Sequence, residues 1–172
     1  MSDGWFVVNV RDAEWLTSEG GDLPSTGSEC AFETDEHPFE QLGVRLHVLS
    51  PGEPNGFYHH ESAQEDFLVL SGECTLLVEG EERRLRQWDF FHSAPGTDHV
   101  FVGAGSEPCV IFMVGARPED WNVRFPVSEL AARYGASADR EVTSPRDAYV
   151  GRIEPSRRGR PSYWERLPWN AS

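Results

Sequence analysis

Residues 56–73, GFYHHESAQEDFLVLSGE, and residues 88–101, WDFFHSAPGTDHVF, decide how this 172-residue chain is read. Histidines and carboxylates crowd the start of the first stretch, and one more histidine follows a Pro-Gly turn at the end of the second. Short apolar runs separated by glycine turns lie between them. The alternation predicts strands at 44–49, 57–61, 65–70, 74–78, 83–86, 89–92, 99–102 and 109–114. PGEPNG at 51–56, Ser71-Gly72, Glu79-Gly80, APGT at 94–97 and GAGSEP at 103–108 supply the turns. Short strands at this spacing, with no helix between them, predict an all-β antiparallel barrel or jelly roll. In such a barrel alternate residues face inward, so histidines and carboxylates two apart on one strand reach the same point. That is the arrangement a divalent cation requires.

Outside residues 43–116, expected to form the barrel, the pattern loosens. GWFVVNV at 4–10 predicts a short strand, and residues 11–42, rich in Gly, Ser, Pro and acids, predict an irregular arm. In the C-terminal extension, 117–172, residues 127–134 (VSELAARY) predict one short helix and residues 148–153 a further strand. The Pro/Arg/Trp-rich end carries Arg157, Arg158 and Arg160 and is expected to dock on an acidic surface. No internal repeat is visible.

Composition removes several classes of function. The formal net charge of −14 repels phosphate backbones and anionic lipid, so neither a nucleic-acid nor a membrane partner is expected. All 15 basic side chains are arginine, which rules out Schiff-base chemistry on a lysine. Three scattered cysteines (Cys30, Cys74 and Cys109) suggest neither a disulfide framework nor a thiolate zinc site. No run approaches the roughly 20 apolar residues of a membrane helix, and the acidic start is unlike a signal peptide. A cytoplasmic protein is expected.

The two stretches resemble the paired motifs of the cupin superfamily. Glu65 and Gly72 match the Glu-x6-Gly part of the first motif; Gly96 and His99 match the Gly-x2-His end of the second. Trp88 and Ala94 stand where that second motif has its opening glycine and its proline. The resemblance implies a double-stranded β-helix barrel with a metal inside. The His-x-His pair of the first motif is not intact. One register makes it Tyr58 and His60, the other His59 and Glu61, and strand alternation makes the two exclusive. Donor chemistry favours His59 and Glu61, because neutral phenols bind divalent ions poorly. The candidate ligands are then His59, Glu61, Glu65 and His99, a set suited to one divalent ion: Zn, Mn, Fe or Ni.

Phe57, Phe67 and Val69 share parity with these ligands. With Phe101 and Met113 they are expected to line a pocket for a small organic ligand or substrate. His47 sits on the Arg45/Leu49 face of its strand, which is either pocket or exterior. The resemblance implies oxygenase, isomerase or decarboxylase chemistry without choosing among them. A non-catalytic ligand-binding module or a structural oligomerisation module is the alternative. The apolar WFVVNV segment leads to the expectation of a homodimer, with exchanged N-terminal strands.

Overall fold

The structure, a computed structural model, describes residues 4–170. Its main sheet has seven strands. They are β1 (Leu16–Thr17), β2 (Ser28–Ala31), β3 (Leu42–Leu49), β5 (Glu65–Ser71), β8 (Phe90–Ser93), β10 (Cys109–Ala116) and β12 (Arg157–Arg158), in the order β12-β1-β2-β3-β10-β5-β8. A second sheet, β7-β6-β9, joins β6 (Glu73–Val78), β7 (Glu81–Arg86) and β9 (His99–Ala104). The short ribbon of β4 (His60–Glu61) and β11 (Val123–Arg124) extends this second sheet, because His59 pairs with His99. Neighbouring strands run antiparallel throughout, and the two sheets face one another as a jelly roll.

Pleating assigns each strand residue to a face. Leu49, Phe67, Val69, Leu76, Phe101 and Ile111 point between the sheets and form the principal core. Val44, Leu46 and Val48 share the opposite face of β3, and the last two are buried on the outside of the large sheet beneath Trp15, Tyr163, Trp164 and Leu167. The C-terminal tail therefore docks through its aromatic side chains. Its basic residues play the lesser part: Arg158 pairs with Glu14, and Arg160 lies 4.4 Å over the Trp164 ring.

Gly72 shows why one turn needs glycine. Its φ of +74° is in the left-handed region, and a Cβ there would sit 2.4 Å from the Pro108 carbonyl oxygen. No side chain fits between the β5–β6 turn and the strand beside it.

Four sequence expectations change. Residues 4–10 form no strand, and Trp5 and Val7 are 74% and 88% exposed. The arm is less irregular than its composition suggests, since β2 pairs with β3 along Ser28–Ala31. Residues 145–149 form a helix, where a strand was expected from 148 onward. Ser144 caps this helix by accepting the Asp147 N–H, and Pro145 opens it. Among the described residues there are two short α-helices, α1 (Glu129–Ala132) and α2 (Pro145–Tyr149), where one was expected.

Candidate metal centre

Three strands bring three donors together at the open end of the barrel. His59 immediately precedes β4, Glu65 begins β5 and His99 begins β9. The backbones of His59 and His99 exchange both hydrogen bonds, 3.1 and 2.8 Å, which sets their imidazoles side by side with centroids 5.1 Å apart. One donor atom from each of His59, Glu65 and His99 lies within 4.8 Å of the others.

The hydrogen bonds decide which nitrogens are free. His59 Nδ1 lies 2.7 Å from the Phe57 carbonyl oxygen, and His99 Nδ1 lies 3.0 Å from that of Thr97. A ring nitrogen facing a carbonyl must carry the proton, which leaves each Nε2 lone pair available. Both rings are neutral at ordinary pH. Burial lowers His59, and burial together with the neighbouring His59 pushes His99 down to about 3.

Glu65 moves the opposite way. Desolvation and the nearby Glu61 carboxylate raise it to about 8, although Arg45 pulls against them. Its Oε2 is 3.6 Å from His99 Nε2, buried and without any hydrogen-bond partner among the described residues. A buried carboxylate oxygen left unpaired is costly. Two neutral imidazole nitrogens and one desolvated carboxylate are the donors a divalent cation needs, and a cation would remove the conflict at Glu65. The residues fit the metal that the cupin resemblance implies.

Segment 57–61 takes the register that turns His59 and Glu61 toward the cavity. Tyr58 and His60 point away: the Tyr58 hydroxyl accepts the Gly80 N–H, and His60 Nδ1 lies 2.6 Å from Asp98 Oδ1. Glu61 lines the same cavity but lies outside the converging group. Its Oε2 accepts the Trp121 indole N–H at 2.6 Å.

The cavity has a volume of about 830 Å³. Of the expected pocket residues, Phe67 and Met113 line it. Val69 and Phe101 are buried beneath it in the barrel core, and Phe57 is buried in a separate cluster with Val123 and Phe125. Room beside Glu65 comes from Gly43 and Gly115, which occupy its row across β3 and β10. Arg45 and His47 also face the cavity. Arg45 pairs with Glu29 at 2.9 Å, and His47 Nε2 lies 2.7 Å from the Thr26 carbonyl oxygen. The extension contributes Trp121 and Tyr149. Alternation along β3 places Arg45 and His47 on one face; no local pattern in the sequence announces the two aromatic residues.

The comparisons agree with the jelly-roll fold. The family model described as Cupin domain matches residues 45–115. A sugar phosphate isomerase of the cupin superfamily from Silicibacter pomeroyi superposes with a TM-score of 0.61 at 19% identity. The alignment covers 83% of this chain and 94% of that one. The polyketide cyclase RemF from Streptomyces resistomycificus gives 0.55 at 16% identity over 65% and 79% of the two chains. A cupin protein from Bacteroides fragilis gives 0.51 at 17% over 70% and 89%. At these identities the likeness is one of fold. No curated protein matches the sequence. Among the described residues no helix is long and apolar enough to cross a membrane.

Proposed function

We propose that the protein binds one divalent metal ion through His59, Glu65 and His99 and holds a small organic molecule against it in the adjoining cavity. The observation that carries this is the buried, unpartnered Glu65 Oε2 facing two histidines whose Nδ1 atoms are tied to backbone carbonyls. Glu61 completes the set of four as a nearby carboxylate, held by Trp121 while it is off the ion. Zn, Mn, Fe and Ni all suit these donors.

When bound, the ion supplies Lewis acidity or a site for small oxygen ligands. The chain's own residues do the rest. His59 and His99 remain neutral donors because burial disfavours their protonated forms. Phe67 and Met113 keep water from one side of the cavity, while Arg45, His47 and Tyr149 offer polar contacts around it. Two fold neighbours bear the names of an isomerase and a cyclase, chemistry that acts on small oxygen-rich molecules. Equilibrium dialysis against Mn²⁺, Zn²⁺, Fe²⁺ and Ni²⁺ tests the proposal. Near one ion per chain is expected for the native protein. Less than a tenth of that is expected for Glu65→Ala, and equal uptake by both proteins would refute the assignment.

A further inference from the structure

Resting on the metal reading above, we infer that Tyr149 donates a hydrogen bond to an oxygen of the ligand held at the metal centre. The ligand class this defines is a small molecule with a carboxylate, carbonyl or enolate oxygen beside the atom that meets the ion. Tyr149 is the last residue of α2, in the extension beyond residues 45–115, and it lines the same cavity as His59, Glu65 and His99.

Its position is fixed from three sides. The ring packs on Phe57 and Phe125, with centroids 5.3 and 5.5 Å away, and Phe125 in turn lies 5.5 Å from the His59 ring. The phenol oxygen accepts the Phe57 N–H at 3.3 Å, and the chain before it makes room. Gly56 has a φ of +151°, and a Cβ there would stand 2.8 Å from that oxygen. The hydroxyl oxygen is therefore held by an incoming donor, and its own proton finds no acceptor among the described residues. Burial raises the phenol above its ordinary value, so the proton stays on at neutral pH.

Asn55 adds a second donor beside it. Its Oδ1 accepts the Phe101 N–H at 2.8 Å, which leaves the amide NH₂ to be offered in the same cavity. Next to the acidic groups Glu61 and Glu65, a pair of neutral donors is what allows an oxygen-bearing ligand to settle by the ion.

The test uses Co²⁺-loaded full-length protein and acetohydroxamate, an oxygen-donor probe, titrated by the visible cobalt spectrum. Y149F removes only the hydroxyl and keeps the ring; Y134F, a tyrosine bonded to Glu82 away from the cavity, is the control. The expected result is unchanged cobalt content and a folded protein in both variants, with acetohydroxamate binding weakened about tenfold in Y149F alone. Equal affinity in Y149F and the native protein would overturn the inference, as would a cobalt-loaded native protein that does not bind the probe. A native protein that takes up no cobalt would sink the metal reading and this inference with it, and the cobalt content distinguishes the two failures.

Discussion

The interior of the barrel has two ends built from the same strands, and they differ in chemistry. At the closed end Leu49, Leu76, Phe101, Cys109 and Ile111 are between 0% and 2% exposed and leave no room for a ligand. At the open end the inward positions of β3, β5, β9 and β10 carry Gly43, Arg45, His47, Glu65, His99 and Gly115 around a cavity. His99 and Phe101 stand two residues apart on β9, and so do Glu65 and Phe67 on β5. Pleating decides only that these side chains point inward. Position along the strand decides whether they fill a core or build a site. The closed end accounts for stability, and the rigid frame it gives the open end makes it possible to hold an unpaired carboxylate there.

The largest effect expected is at the closed end. Phe101→Ala should cost about 3–5 kcal/mol by chemical denaturation, the usual toll of emptying an aromatic core position. The fraction that remains folded should bind metal as before. A cost near zero would mean that the two ends are not divided as described.

A pH effect belongs to the open end. In the metal-free fold Glu65 is raised to about 8, so the folded chain holds a proton there that the unfolded chain releases near its ordinary value of 4.5. Its contribution to stability is complete below about 4.5 and is lost as the pH rises through 8. His99, lowered to about 3, has the opposite slope: its contribution is complete above about 6.5 and is lost as the pH falls toward 3. Thermal melts of chelator-treated protein should therefore show Glu65→Gln gaining on the native chain as the pH rises from about 4.5 to 8, with no further gain above it. Parallel curves would contradict the desolvation of Glu65.

Smaller effects should come from the side of segment 57–61 that faces away. Tyr58→Phe removes the acceptor of the Gly80 N–H and should cost about 1 kcal/mol with full metal retention. His60→Ala breaks a partly exposed pair with Asp98 and should cost less than about 1 kcal/mol, again without loss of metal. Metal loss in either variant would favour the other register of the motif.

The barrel was legible in the sequence because alternation and glycine turns mark every strand from 42 to 116, and because Gly72 cannot be replaced without a clash. Within the site, two readable facts carried far. Parity along 57–61 places His59 with Glu61, and the spacing from Glu65 to His99 follows from the strands between them. The arms were far less legible. WFVVNV is apolar enough for a strand but pairs with none, whereas the unremarkable residues 28–31 pair with β3. In the extension, Tyr149 follows Ser-Pro capping signals that outweigh the β-branched Val150 and Ile153, so a helix forms where a strand was expected. Trp121 and Tyr149 reach the cavity only through tertiary packing, which no local pattern encodes.

The central claim is that His59, Glu65 and His99 hold a divalent ion, and elemental analysis of native and His99→Ala protein, both purified without chelator, tests it most directly. The arrangement of donors predicts close to one equivalent of Zn, Mn, Fe or Ni in the native chain and almost none in the variant, with both folded. A native chain that carries no metal even after reconstitution, or a variant that keeps its full complement, would contradict it.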